Sequence, residues 1–343
     1  MNHLLDWISD DRFSQWLKEH DLPAYRGGQV RQWLFGRRAS EFSQMTDLPA
    51  ALRTRLGETF SLWTSKVVEQ RTSPDGADKL LLELADGGRI ECVLLREEER
   101  RSICISTQVG CAMGCVFCAS GLDGVDRNLT SGEIAEQMLL LQNLLPAEER
   151  LSHIVVMGMG EPLANLDRLL PALELAKHKQ GLGISPRRIT ISTVGLPPAI
   201  DRLSQAKAGY QLAVSLHAPT DTLRNQLVPV NRSVGLEKIL EAADRYFTAS
   251  GRRLTYEYVL LAGLNDRPEH ARQLADLLRG RPALLNVIPY NPVDGLNYQT
   301  PSHAAQKAFR EILEKRGLTV KFRKRKGDKI SAACGQLRRA PAS

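Results

Sequence analysis

Cys111, Cys115 and Cys118 fall in the run Cys-Ala-Met-Gly-Cys-Val-Phe-Cys, a C-x3-C-x2-C spacing that gathers three thiolates from one short loop. A cubane iron–sulfur cluster takes four ligands, so three cysteines leave one iron open. An open iron can bind a small molecule and react with it, whereas a fully ligated cluster only passes electrons. A structural zinc knuckle is the alternative, but it usually takes a fourth Cys or His close by. The nearest histidine downstream is His153, far along the chain. Disulfides are disfavoured because the spacing crowds all three cysteines into one loop. The predicted occupant is therefore a [4Fe-4S] cluster.

Gly158-Met159-Gly160-Glu161-Pro162 puts small residues where a ligand can approach the backbone, then a carboxylate. Such a carboxylate can hold the ammonium of an amino-acid-like cofactor. After a cluster loop this string favours S-adenosylmethionine, whose amino and carboxyl groups can chelate the open iron. Gly160 and Glu161 are candidates for its amino-acid end. Ser192, Ser215 and Asn291 are short polar groups suited to its ribose and carboxylate, although each taken singly reads as an ordinary strand-end hydrogen bonder. Leu216 and His217 belong to the same string as Ser215, and His217 reads either as a satisfied structural histidine or as a cofactor contact.

The elements that must position these residues follow from periodicity. The first 60 residues read as short amphipathic helices, made basic by Arg26, Arg31, Arg37 and Arg38. Strands at 79–84 and 89–95 flank Ala85-Asp86-Gly87-Gly88, a hairpin signal, with Glu91 and Cys92 on opposite faces. From about Arg101, strands at 102–108, 153–157, 188–193, 211–216, 254–261, 284–289 and 318–324 alternate with helices at 131–145, 166–179, 197–204, 236–248, 268–278 and 303–315. Alternating β and α implies a parallel sheet. The predicted fold is α/β, a full or partial (β/α) barrel, with a doubly wound open sheet as the runner-up. The predicted divisions are a helical accessory domain (1–60), a hairpin extension (61–100), the barrel (101–330) and a tail (331–343). In such barrels chemistry collects at the carboxyl ends of the strands, where the cysteine loop and the Gly-Glu, Ser-Thr-Val-Gly, Ser-Leu-His and Pro-Tyr-Asn strings all fall.

Read together, these residues resemble the radical S-adenosylmethionine enzymes. The runs Ser106-Thr107-Gln108-Val109-Gly110, Ser215-Leu216-His217-Ala218-Pro219, Ile288-Pro289-Tyr290-Asn291-Pro292 and Ala332-Ala333-Cys334-Gly335-Gln336-Leu337 narrow the match. They are similar to the RNA adenine methyltransferases of the RlmN/Cfr type, over nearly the whole chain. The resemblance implies a methyl-carrying cysteine at Cys334, a resolving cysteine at Cys104 that forms a disulfide with it, and a proton acceptor at Glu91. It implies two S-adenosylmethionine molecules per turnover, one to methylate Cys334 and one to generate the radical that activates that methyl group. Cys92 matches no role and reads as a buried hydrophobe. Carbon 2 of adenine, in large-subunit ribosomal RNA and in transfer RNA, is the favoured target. Carbon 8, modified by the antibiotic-resistance branch, is the alternative.

Composition agrees with an RNA partner without demanding one. The net charge is +7, and Lys321, Arg323, Lys324, Arg325, Lys326 and Lys329 are crowded together, with Arg338 and Arg339 close behind. Such a run is either a solvated strand edge or a phosphate-neutralising surface. The opening Met1-Asn2-His3-Leu4-Leu5-Asp6 predicts no signal peptide, and no apolar run approaches a membrane span. A cytoplasmic monomer fed by a reducing electron donor is expected. A zinc-stabilised, non-catalytic RNA binder is the rival of a different class, and a radical enzyme acting on a small molecule leaves Cys104 and Cys334 without a role.

Overall fold

The computed structural model describes residues 1–323 and 326–338. A parallel pair, β1 (Asn2–His3) with β2 (Phe60–Ser61), ties together the ends of the helical segment. Between them lie α1 (Leu4–Ser9), α2 (Arg12–Glu19), α3 (Tyr25–Arg31) and α4 (Ala50–Thr59). Phe60 sits edge-on to the rings of Trp7, Phe13 and Trp16, the contact that gives these short helices a common centre.

Antiparallel strands β3 (Lys66–Ser73), β4 (Ala77–Glu83) and β5 (Arg89–Arg96) then lead into β6 (Arg101–Cys104). The turn between β4 and β5 falls at the predicted Asp-Gly-Gly, where Gly87 takes a φ of +84°. β3 escaped the sequence reading because it is an edge strand, exposed along most of its length, and lacks the apolar alternation of a half-buried strand.

The predicted strand at 102–108 is broken. After Cys104 the chain leaves the sheet to form a small ribbon, β7 (Gln108–Gly110) with β8 (Val125–Asn128), which brackets the cysteine loop. The physical cause is a buried side chain: Gln137 Oε1 accepts from Ser106 N at 2.8 Å, taking the donor that a continuing strand would use.

Beyond β8 the order is α5 (Ser131–Asn143), β9 (His153–Val156), α6 (Leu166–Lys177), β10 (Ile189–Thr193), α7 (Pro197–Gln205) and β11 (Gln211–Ser215). Then come α8 (Asp221–Leu227), α9 (Asn231–Val234), α10 (Leu236–Ser250), β12 (Leu254–Leu260), α11 (Pro268–Leu277), β13 (Ala283–Pro289), α12 (His303–Lys315) and β14 (Thr319–Phe322). Strands β3–β6 and β9–β14 form one ten-stranded sheet of order β14-β13-β12-β11-β10-β9-β6-β5-β4-β3. From β6 to β14 the pairing is parallel and neighbours in sequence are neighbours in space. A doubly wound sheet needs a reversal of strand order, so that runner-up is excluded. β14 and β6 do not pair among the described residues, and the barrel is partial. No helix is long and apolar enough to cross a membrane among those residues.

Two polar contacts dock the helical segment on the barrel. Glu136 of α5, almost fully buried, accepts from Thr64 N at 3.1 Å and Ser65 N at 2.9 Å, and faces His3 Nε2 at 3.2 Å. Arg38 donates to the Leu145 carbonyl at 2.7 Å beyond the end of α5.

Arg224 of α8 holds the barrel rim. It is fully buried, and its guanidinium donates to the carbonyls of Leu216 (2.9 Å), Ser215 (2.9 Å) and Val194 and to the side chain of Asn231. Those carbonyls lie where β10 and β11 end and the ladder can no longer pair them. Replacing Arg224 with Met leaves them buried and unpaired, which should lower stability by about 3 kcal/mol. Thermal unfolding should then shift down by roughly 4 °C. A melting curve within 2 °C of wild type would show that the rim does not need this residue.

Candidate active site

The strand-end loops line an open cleft. Cys111, Cys115 and Cys118 line it as free thiols. Their loop is pinned by Cys111 N on the Gly124 carbonyl at 2.7 Å and Val116 N on the Leu227 carbonyl at 3.1 Å. Burial pushes the Cys111 thiol up to about 12, the Cys115 thiol well above its ordinary value and the Cys118 thiol upward. For Cys111 and Cys115 the neighbouring cysteines add to the effect. Three thiolates cannot stand side by side in so apolar a loop without a cationic group between them. The donor set therefore fits the irons of a cluster.

Gly160 and Glu161 line the same cleft, Gly160 with its backbone on the Cys111 thiol. The glycines make room for the chain itself as much as for a ligand. A Cβ on Gly158 would lie 2.6 Å from Ser106 Oγ, and one on Gly160, whose φ is +100°, would lie 2.7 Å from the Gln108 side chain. Glu161 is buried, with Oε1 accepting from Leu163 N at 3.0 Å and Oε2 from Val194 N at 2.9 Å. Burial raises its pKa against the pull of those donors and the Thr193 hydroxyl.

Ser192 and Ser215 also line the cleft, their hydroxyl oxygens 3.5 Å apart. Ser192 donates to Glu257 Oε2 at 3.1 Å, and Asn286 donates to Glu257 Oε1 at 3.3 Å. Glu257 itself lines the cleft, yet sequence reasoning passed over it. The signal was present, a single carboxylate inside the apolar strand Leu254–Leu260, where a central strand should carry none. Leu216 does not line the cleft; its side chain lies in the apolar core. His217, with a φ of +61°, does line it. Its Nδ1 accepts from Val259 N at 3.0 Å, and burial with nearby Arg224 brings its pKa down to about 3. The ring is therefore neutral, with its proton on Nε2.

Cys334 borders both this cleft and a small adjoining chamber whose wall includes Cys104 and Arg323. The loop around it is held from two sides. Asn291 Nδ2 donates to the Cys334 carbonyl at 3.1 Å and Gln336 donates to the Pro292 carbonyl at 2.7 Å. From the cysteine loop, Ala119 N donates to the Gly335 carbonyl at 2.8 Å and Ser120 Oγ to the Leu337 carbonyl at 2.5 Å. Burial pushes the Cys104 thiol up to about 12, Cys334 adds to this, and Arg323 opposes it.

Glu91 lines neither cavity, but strand register puts it on the face that carries Cys104. Val93 pairs with Cys104 across β5 and β6, and Glu91 lies two residues from Val93. Its carboxylate meets Lys79 Nζ at 2.7 Å and accepts from Arg338 N at 3.0 Å. Burial raises its pKa, and Lys79 is the first of several groups to oppose that. Cys92 points the other way into the apolar core, fully buried.

The basic run divides. Arg323 turns inward, Lys326 donates to the Arg96 carbonyl, and Lys321, Lys329 and Arg338 are exposed. Lys324, Arg325 and Arg339 lie outside the described residues. Lys79 and Arg224 are the site cations that sequence reasoning did not single out, and Arg323 was noted only as part of the basic run. An interior position for a lone Lys or Arg leaves no mark on local spacing.

Comparison with known proteins fits this geometry. Residues 105–276 match the family model of the radical SAM (S-adenosylmethionine) superfamily. Residues 3–62 match the ribosomal RNA large subunit methyltransferase N-terminal domain. A Rhodopirellula baltica protein named probable dual-specificity RNA methyltransferase RlmN is 65% identical over 338 residues, 98% of this chain and 91% of its own. The protein of that name from Geobacillus thermodenitrificans is 45% identical over 329 residues, 96% of this chain and 90% of its own. The crystal structure of a radical SAM methyltransferase from Sphaerobacter thermophilus superposes with a TM-score of 0.95 at 39% identity, covering 98% of this chain and 99% of that one. With the three-cysteine loop at the mouth of a partial barrel and a helical segment ahead of it, the chain belongs to the radical SAM superfamily and, within it, to the RlmN family of RNA methyltransferases.

Proposed function

We propose that this enzyme methylates carbon 2 of an adenine in large-subunit ribosomal RNA, and in transfer RNA, through a methyl group carried on Cys334. The observation that carries the reading is the position of Cys334, bordering the cysteine-loop cleft on one side and the chamber of Cys104 on the other. When bound, a [4Fe-4S] cluster on Cys111, Cys115 and Cys118 would supply, with two molecules of S-adenosylmethionine per turnover, the methyl carbon and the radical chemistry that an electron-poor ring carbon requires. Gly160, Glu161, Ser192, Ser215, His217 and Asn291 are the cofactor-facing residues of this scheme. Leu216 keeps only a supporting part, through its carbonyl on Arg224.

The chain's own residues do the rest. The Cys334 sulfur holds the methyl carbon and, after that carbon bonds to the base, tethers the RNA to the protein. Glu91 accepts the ring proton. The Cys104 thiolate then bonds to the Cys334 sulfur as the bond from that sulfur to the new carbon breaks; the carbon keeps that electron pair and takes a proton from water to become the methyl group, which frees the RNA and leaves a disulfide. An external thiol reduces that disulfide, so a cytoplasmic setting suits the cycle. The match of residues 3–62 to a ribosomal RNA methyltransferase N-terminal domain supports ribosomal RNA as substrate.

Anaerobic reaction of the iron-reconstituted protein with protein-free ribosomal RNA, followed by mass spectrometry of the nucleosides, should yield 2-methyladenosine. A yield of 8-methyladenosine instead would assign the chain to the carbon-8 branch. Cys334→Ala should abolish methyl transfer. Cys104→Ala should leave RNA covalently bound to protein, seen as a species that survives denaturing gel electrophoresis and disappears on nuclease treatment. A Cys104→Ala enzyme that turns over freely would remove Cys104 from the scheme.

Cys104 attacks as a thiolate, and its pKa of about 12 keeps it protonated near neutrality. The thiolate fraction therefore rises with pH, and product release from the tethered state should quicken by about tenfold per unit between pH 7 and 9. A release rate that is flat over that range would show that another step sets it.

A further inference from the structure

Lys79 is a buried ammonium that the cofactor cleft does not account for. β4 presents it, 5% exposed, on the sheet face that carries Glu91, Val93 and Cys104. Its Nζ lies 2.7 Å from Glu91 Oε1 and donates to the Ser331 carbonyl at 3.1 Å. Glu91 Oε2 in turn accepts from Arg338 N. Ser331 and Arg338 flank Cys334 in the chain, so this one ion pair grips both feet of the loop that carries it.

Removing an ammonium and a carboxylate from water is costly, and such a pair is often no more stabilising than apolar residues of like volume. Stability is therefore a weak reason for its presence. What the pair adds is geometry. The carboxylate is held by a donor on each oxygen, and the loop is seated on the same strand that presents the ammonium.

We propose that Lys79 is a positioning residue of the methyl transfer, holding Glu91 in one orientation and clamping the Cys334 loop onto β4 and β5. This role rests on the assignment of Glu91 and Cys334 given above. Of the charged groups around Glu91, Lys79 opposes burial most strongly, and Arg71 of β3 adds to it. The Arg89–Glu83 pair lies one step along the same face and neutralises itself. Cys104 of β6 shares that face opposite Val93, and from the tail Arg338 contributes its backbone N–H. Met159, whose sulfur accepts from Glu91 N, brings no charge. Without the ammonium, Glu91 would protonate at higher pH.

Lys79→Met removes the charge at nearly constant volume. Its kcat for RNA methylation should fall about 100-fold, with the KM for RNA within about threefold of wild type. The acid limb of its kcat/KM profile should move up by about one pH unit. Lys79→Arg should recover part of both. In the cluster-loaded protein without RNA, backbone amides of residues 332–338 should exchange about tenfold faster in Lys79→Met. Glu91→Gln should loosen the same amides, which keeps the test open if Lys79→Met does not fold. Unchanged exchange in the variants, or a fall in kcat with the acid limb unmoved, would overturn the clamp. The exchange measurement needs no methylation. It is thereby separate from the wider reading, which would fail if the wild-type enzyme made no methyladenosine.

Discussion

Parallel strands laid down in sequence order leave the chain one place to put its strand-end loops, a single rim. The cysteine loop reaches that rim through the β7–β8 ribbon, Glu161 follows β9, Ser192 ends β10, Ser215 ends β11 and Asn291 follows β13. Convergence brings an electrostatic difficulty with it, because carbonyls leave the ladder at that same rim. Arg224 answers it by spanning the ends of β10 and β11 from inside the protein. Burial lowers its pKa to about 10, low for a guanidinium but still well above neutrality, and Cys115 and Asp221 pull the other way. A cation thus stands behind the cysteine loop whether or not the thiols are ligating anything, and it favours the ionised form of Cys115.

The second half of the site depends on a different regularity, the alternation of side chains across β4, β5 and β6. One face of these strands is apolar and packs into the core through Leu80, Leu82, Cys92, Leu94 and Ile103. The other carries Lys79, Glu91 and Cys104, polar or reactive groups that would face solvent on a free edge of the sheet. The C-terminal segment covers that face and buries them. A cysteine held next to the barrel and one held on a returning tail can then share a chamber, although 230 residues separate them in the chain.

The parts legible in the sequence were those fixed by local spacing. The C-x3-C-x2-C loop, the β/α alternation and the opposite orientations of Glu91 and Cys92 each follow from residues close together in the chain. What stayed hidden was decided by distant partners. Nothing near Ser106 announces that Gln137 will capture its N–H and end the strand. Gly158 and Gly160 looked like clearance for a ligand, whereas a side chain at either would first strike the 105–108 segment. Glu257 could have been flagged as a charge within a buried strand, but its partners, Ser192 and Asn286, come from β10 and β13. Cys104 and Cys334 read as a pair only through family resemblance, since neither carries a local mark of reactivity.

Charge was the least legible property. Composition offered an N-terminal group of arginines and a C-terminal run of lysines and arginines as phosphate contacts, but many of these cations have internal partners. Arg38 caps the loop after α5, Arg37 lies 4.2 Å over the Trp33 ring, and Arg26 donates to Gln29 at 2.7 Å. Past the end of β14, Arg323 is turned into the chamber, where its strongest electrostatic partner is Cys334. A guanidinium bound to carbonyls or facing a thiol gains little from a phosphate, since it would first have to give up those contacts. Lys321, Lys329 and Arg338 remain exposed and keep their charge in water, where a polyanion releases its counterions at small cost. Net charge therefore overstates the RNA surface of this chain, and the side chains that matter there are the ones the fold has left without internal work.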